Sequence, residues 1–226
     1  MKKEIYAGIS LIFMLLTTSC SPSLVQTALQ TTLLGGGGGG SSWKTIASEF
    51  KVAFTDISSG LILVLEGIKA SEEAIGIKEK AAVQELEELK KASGGGKVGS
   101  AAIKKATTYV EESSIRLAKA LENKVLTAEE KRKLMEASEK YFKGAVISVP
   151  GYIKVMVNSQ NVLKAGIPNP MDLIAVSADI PTIIDNAPAM ITMIPTTFKA
   201  IKIYKKSLEK ADIQVEISDD DLEIKI

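Results

Sequence analysis

Residues 43–68 read WKTIASEFKVAFTDISSGLILVLEGI, and apolar side chains recur through this stretch at steps of three or four. The apolar positions are Trp43, Ile46, Phe50, Phe54, Ile57, Leu61, Val64 and Ile68. Because an α-helix turns once in 3.6 residues, this spacing predicts one amphipathic helix of about seven turns. Gly76 either ends this helix or lets it resume as far as Ser93, where three glycines follow.

Four further helices are predicted downstream. Ser100 is placed as the cap of the second helix, and Thr127 with Glu130 forms a capping box for the third. The Pro-Gly pair at 150–151 predicts a kink or a break, because proline removes a helical hydrogen bond. A fourth helix is therefore expected near 152–164.

The fifth helical segment carries a seven-residue repeat, and Asn169 with Pro170 predicts its start. One apolar stripe consists of Leu173, Ile180, Ala187, Ile194, Ile201 and Leu208, and a second of Ile184, Ile191 and Phe198. Such heptads are typical of helices that pack on one side. Prolines recur at the same interval, at Pro181, Pro188 and Pro195. We expect either short helices joined at these prolines or one kinked helix.

The last segment, 212–226, changes period and reads DIQVEISDDDLEIKI. Apolar and polar residues alternate on both sides of an acidic cluster, which predicts a β-hairpin. A lone hairpin is marginally stable, so its apolar face should lie on the helices. Together these patterns predict a mainly α fold over 43–226. It is a single-domain bundle of about five helices, with proline-kinked C-terminal helices and a small C-terminal β-hairpin.

The first twenty residues read MKKEIYAGISLIFMLLTTSC. A basic start, a short apolar stretch and small residues before the only cysteine are typical of a secretory signal peptide. Because it ends directly at Cys20, the segment resembles the bacterial lipoprotein export class, although Thr17 stands where that class prefers Leu. The resemblance implies a signal peptide at 1–19 and a lipid on Cys20. Ser21 after the cysteine implies the outer membrane in a Gram-negative cell.

A tether is predicted at 20–42, because six consecutive glycines occupy 35–40. Glycine loses more backbone entropy on folding than any other residue, so this run favours a flexible coil. About 22 residues of such coil span on the order of 25 Å. The lipid would then hold the folded domain near, but not on, the membrane surface.

Composition excludes several classes of function. The chain has 28 basic and 27 acidic residues, and loss of 1–19 removes two lysines and one glutamate, which leaves a neutral chain. We therefore expect no nucleic-acid partner. The absence of histidine removes His-dependent nucleophilic pairs and the commonest metal ligand. These features predict no catalysis, no cofactor and no metal site.

Three polar groups suggest sites, but each has a simpler interpretation that we favour. The first is a polar stripe of Asp172, Asp179 and Asn186. It either faces an ion or a partner or is only the solvated edge of a helix. The acidic run 219–221 lacks the alternate spacing of a calcium loop and is more typical of a turn. Residues 207–210 match a Ser-x-x-Lys motif without its companion motifs.

Apolar side chains suggest a pocket for a greasy ligand, although core filling is the simpler interpretation. They are the aromatic stripe Trp43, Phe50 and Phe54, and the methionines Met156, Met171, Met190 and Met193. Methionine adapts to ligands of varied shape. The sequence does not identify the ligand-binding residues, which stay unknown.

The expected function is a structural or protein-interaction role for a lipid-anchored envelope protein. Its partners would be the membrane, through the N-terminal lipid, and a protein of the cell envelope. One alternative is a carrier of lipid or another apolar ligand. Another is a membrane-inserting protein that uses 144–198, where only five residues are charged.

Overall fold

The computed structural model describes residues 43–78, 81–94, 100–122, 124–165, 180–215 and 217. They form five α-helices: α1 (Trp43–Ala74), α2 (Ala81–Gly94), α3 (Ser100–Glu122), α4 (Ala128–Ala165) and α5 (Ile180–Lys210). The prediction of a mainly α bundle with about five helices is confirmed. The predicted signal peptide 1–19, the lipidation residue Cys20 and the tether 20–42 lie outside the described residues.

The bundle is organised around the antiparallel pair of α1 and α4. Where the two helices cross, Gly60 on α1 faces Gly144 on α4. A Cβ atom added at Gly60 would lie 2.5 Å from the Gly144 carbonyl oxygen, well inside an ordinary contact. The backbones approach this closely only because neither residue has a side chain. Gly67 and Gly151, each seven residues further along, extend the close contact.

The apolar stripe of α1 forms the centre of the core. All eight of its predicted positions are buried, none with more than 7% of its surface exposed. Helices α3 and α5 pack on each other, and α2 packs on α1 and α3. The aromatic residues Trp43, Phe50 and Phe54 therefore fill the core, which is the interpretation that the sequence favoured.

Gly76 ends α1. Its φ of 81° lies in the left-handed region, which glycine adopts without strain. The Gly76 N–H donates to the Glu73 carbonyl (3.2 Å), and the Ile77 N–H donates to the Glu72 carbonyl (2.8 Å). These two bonds make a Schellman motif. Of the two alternatives left by the sequence, an end at Gly76 is confirmed, and α2 is a separate helix.

The same motif ends α5, with an aspartate in place of glycine. Asp212 has a φ of 57°, and its N–H donates to the Glu209 carbonyl (3.1 Å). The next residue, Ile213, donates to Leu208 (3.0 Å) and buries its own side chain. Residues 213–215 carry no strand, so the described part of 212–226 gives no support to the predicted β-hairpin. Residues 216 and 218–226 lie outside the described residues.

Helix α4 begins at the predicted capping box. The Glu130 N–H donates to the Thr127 hydroxyl (3.2 Å), and the Thr127 N–H donates to the Glu130 carboxylate (2.8 Å). Lys124 forms an ion pair with the same carboxylate at 3.0 Å. These hydrogen bonds lower the pKa of Glu130 to about 2. The carboxylate therefore caps α4 in its charged form.

The prolines do not interrupt the described helices, so the expected breaks are wrong, and the alternative prediction of proline kinks has no support in the structure. Helix α4 continues through Pro150, and α5 continues through all three of its prolines. Beside Pro150, Gly151 packs closely on α1 and Tyr152 is fully buried. Packing of this kind outweighs the roughly 3 kcal/mol that an internal proline costs. Pro195 is exposed on α5.

The heptad stripe of α5 is confirmed where side chains are described. Ile194, Ile201 and Leu208 are buried, and Ile191 and Phe198 pack against the same core. Leu173 and the polar positions Asp172 and Asp179 lie outside the described residues, and the side chains of Ile184 and Asn186 are not described either. None of the helices in the described ranges holds an apolar stretch long enough to cross a membrane.

Candidate interaction surface

Three fully buried tyrosines pack at the contacts between helices. Tyr141 and Tyr152 lie on α4, and Tyr204 lies on α5. The rings of Tyr141 and Tyr204 are 4.5 Å apart between centroids. Each hydroxyl has a partner from another helix: Ser114 at 3.2 Å from Tyr141, Thr197 at 3.2 Å from Tyr152, and Ser71 bonded to Tyr204. These contacts hold α4 against α3 and α5, and α5 against α1.

The tyrosine hydroxyls are unsuited to acid–base chemistry near neutral pH. Burial raises the pKa of Tyr141 and Tyr204 well above the usual value, although hydrogen bonds to Ser114 and Ser71 oppose the rise. Burial also raises the pKa of Tyr152. All three side chains therefore stay neutral, and their role is to pack and to pair buried hydroxyls.

A partly buried ion pair joins α1 to α3. The Glu72 side chain is 2% exposed, and its carboxylate accepts a hydrogen bond from Arg116 at 2.7 Å. The same guanidinium donates to Ser113 (2.8 Å) and to the Tyr109 hydroxyl (3.1 Å). A carboxylate bound in this way is charge-balanced and hydrogen-bonded. The cluster is a structural link rather than a set of groups that could activate a substrate.

One concave surface of the described residues lies on α4. Met135, Phe142 and Val146 share one helix face, and Val215 and Ile217 from the C-terminal segment lie across from them. Together they line a groove of about 620 Å³ that is open to solvent. Met135 is 44% exposed and Val146 is 43% exposed. The α4 groove is therefore an apolar surface that the described residues leave uncovered.

Charged residues stand at the edge of the α4 groove. Glu139 and Lys143, one turn apart on α4, are both exposed and both line it. The hydroxyl of Ser138, also in the lining, donates to the Met135 carbonyl at 2.7 Å and so is already bonded. An apolar floor with one acidic and one basic group at its rim is the usual make-up of a protein-binding surface.

The predicted site residues come together nowhere in the described part of the chain. Ser207 is buried, and its hydroxyl donates to the Tyr204 carbonyl at 2.7 Å. Lys210 points instead to Glu122 on α3, at 3.7 Å. The Ser-x-x-Lys spelling at 207–210 thus has no paired nucleophile and base.

Of the four methionines, Met193 is buried and Met156 packs against the core. The side chains of Met171 and Met190 are not described. The acidic run 219–221 lies outside the described residues as well. Within the described ranges, no three Asp, Glu, His or Cys side chains lie close enough to hold a metal ion.

The α4 groove was missed at the level of sequence, although one signal pointed to it. Met135, Phe142 and Val146 are seven and four residues apart, beside the buried stripe of Leu134, Tyr141 and Ala145. This second apolar edge is wider than a single helix contact requires. Comparison of the chain with protein-family models, curated proteins and solved structures gave no match. The surface is therefore interpreted from its own residues.

Proposed function

We propose that this chain is a lipid-anchored protein of the bacterial cell envelope with a protein-interaction role and no catalytic activity. In this proposal a lipid on Cys20 holds it at the membrane, in the outer membrane as Ser21 favours. The folded domain presents the α4 groove to a protein partner. The single observation that carries the interaction role is the exposed apolar pair Met135 and Val146 beside Phe142.

Exposed apolar side chains are unfavourable in water, and a partner that buries them gains the corresponding free energy on binding. Phe142 at the floor is only 5% exposed, so the groove has a rigid aromatic base. Rigid floors of this kind suit an inserted apolar side chain from a partner. Glu139 and Lys143 would orient the partner through charge, because rim charges contribute more to specificity than to affinity.

The β-hairpin at 212–226 enters this proposal as one wall of the α4 groove. Val215 and Ile217 belong to that segment and already line the groove. A hairpin continuing from them would lengthen the wall and offer a strand edge, to which an extended partner segment could add.

A photo-crosslinking amino acid at position 146 tests the interaction role in living cells. We expect a discrete protein adduct at 146 and none at position 52. Val52 is a matched control, because it is an exposed apolar residue of α1 (46% exposed) that does not line the groove. Equal labelling at both positions, or no adduct at 146, would contradict the interaction role.

The anchor is tested separately. We expect Cys20→Ser to move the chain from the membrane to the soluble fraction and to abolish metabolic labelling with a fatty acid. Unchanged membrane association would contradict anchoring through Cys20.

One observation favours a second candidate, a carrier of lipid or another apolar ligand. A volume of about 620 Å³ falls within the range of small-molecule sites. Native mass spectrometry of the chain purified without detergent separates the two candidates. A bound lipid that is lost in Val146→Asp supports the carrier.

Insertion through 144–198 is favoured less. Tyr152, Val155 and Ile194 in that range are already buried against other helices.

A further inference from the structure

A basic face lies on α5, away from the α4 groove. Five lysines occur between 199 and 210, against one acidic residue in that range, Glu209. They are Lys199, Lys202, Lys205, Lys206 and Lys210. The spacing of three and four places Lys199, Lys202 and Lys206 on one side of the helix.

Two of these lysines have no acidic partner among the described residues. Three are paired: Lys199 with Glu111 at 3.1 Å, Lys205 with Glu209 at 3.9 Å, and Lys210 with Glu122 at 3.7 Å. Lys202 and Lys206 are exposed, one turn apart, and neither forms an ion pair with a carboxylate in the described ranges. Their charge is therefore directed to solvent or to a partner.

The surface between the lysines is apolar. A groove of about 430 Å³ has Pro195, Phe198 and Ile203 in its lining, together with Lys199, Lys202 and Lys206. A second groove of about 350 Å³ lies between α3 and α5 and shares Ile203 and Lys206 with the first. The acidic residues beside this surface, Glu111 and Glu122, already pair with lysines at its two ends. The result is an apolar strip with a cationic edge.

We propose that this face of α5 docks on a membrane surface that carries anionic phospholipids. Such a lipid joins a phosphate to a hydrocarbon region, so it matches both the lysines and the apolar strip. Nucleic acid is a poorer match, because the chain as a whole is not basic. The proposal rests on the proposed lipid anchor for the presence of a membrane within reach of α5.

Charge-removing variants test the docking. The full chain carrying Cys20→Ser is mixed with vesicles of phosphatidylcholine alone, or with one third phosphatidylglycerol, and sedimented. The same measurement is made with Lys202→Gln and Lys206→Gln added together. A control adds Lys131→Gln and Lys133→Gln, which remove two lysines that pair with Asp212 and Glu129. The N-terminal residues are identical in all three chains, so their contribution cancels.

We expect the parent chain to prefer the anionic vesicles and to lose that preference as salt is raised. Each lysine at an anionic surface strengthens binding about fivefold, so replacing both Lys202 and Lys206 should weaken binding about 25-fold. The control pair should change it less than threefold. Circular dichroism confirms that each variant is folded.

The proposal is overturned if the parent shows no preference for anionic vesicles. An acidic protein as the true partner would give that result. The proposal is also overturned if the two pairs of substitutions weaken binding equally. Neither result bears on the anchor, because every chain in the assay lacks Cys20. Conversely, fatty-acid labelling that persists in the Cys20→Ser protein in cells refutes the anchor and leaves the vesicle measurement valid.

Discussion

Gly60→Ala tests the closest contact in the bundle. Helix propensity alone predicts that the substitution stabilises α1, by about 1 kcal/mol. In the structure, however, the new Cβ would lie 2.5 Å from the Gly144 carbonyl oxygen and 2.7 Å from the Ser148 Cβ atom. Ordinary contacts need about 3.5 Å, so the two helices would have to part by about 1 Å. Backbone atoms on α4 form most of this contact, and they cannot move aside as a flexible side chain would.

The parting would loosen packing along the whole α1–α4 contact. Overpacking costs about 1–3 kcal/mol, and we expect the upper part of this range here, about 2–3 kcal/mol, because most of the neighbouring atoms are backbone. After the gain in propensity is subtracted, we expect Gly60→Ala to lower the free energy of unfolding by about 1–2 kcal/mol. For a domain of this size, that corresponds to a fall of about 2–8 °C in Tm.

Thermal and urea unfolding followed by circular dichroism measure the effect. Ser59→Ala is the matched control, because Ser59 is exposed on the same turn of α1 and its change affects propensity only. We expect this control to melt at or slightly above the wild-type temperature. A Gly60→Ala protein that melts at or above the wild type would refute the close helix crossing.

Three further predictions concern helix ends and the tyrosine core. Asp212→Gly should raise stability by about 0.5–1 kcal/mol in the same melts, because glycine adopts the left-handed conformation of this cap without strain; an unchanged or lower Tm would contradict that cap geometry. The lowered pKa of Glu130 means that its contribution to stability is present above about pH 4.5 and is lost as the pH falls towards 2. The Tm of Glu130→Gln should therefore differ from the wild-type Tm at neutral pH, and the two should converge near pH 2; a difference in Tm that is the same at every pH would contradict the charged cap. Tyr204→Phe should cost only about 1 kcal/mol, since Ser71 keeps its bond to the Gly67 carbonyl (2.7 Å); a loss above about 3 kcal/mol in urea unfolding would show that the hydroxyl does more than pair with Ser71.

The burial of the two helical stripes was predictable from sequence, because it depends on the period of one segment at a time. The α1 stripe and the last three heptad positions of α5 are buried as expected. In the described part of the chain the number of helices agrees with the prediction of about five, but for partly different reasons. The chain divides at Gly76, which the sequence left open, and does not divide at Pro150, where a kink or a break was expected.

The interruptions expected at the prolines were argued from each helix alone, without its contacts to neighbouring helices. The roughly 3 kcal/mol cost of an internal proline is a property of one helix, whereas the burial of Tyr152 beside Pro150 depends on contacts with α5. The α4 groove was hidden for the same reason, because Val146 and Val215 meet only in the folded chain. The repeated spacing of Gly60 with Gly67, and of Gly144 with Gly151, was visible in the sequence, but it identifies a helix contact only when both pairs are considered together.

The pairing of α1 with α4 has a consequence for the order in which the chain folds. Gly60 and Gly144 are 84 positions apart, and a growing polypeptide emerges from its N-terminal end first. The apolar stripe of α1 therefore lacks its main packing partner, α4, until most of that helix has been synthesised. Contacts between such distant segments slow folding, because a long loop must close before they form. We expect nascent chains that end before about residue 144 to be bound by general chaperones, and those that extend beyond α4 to be released.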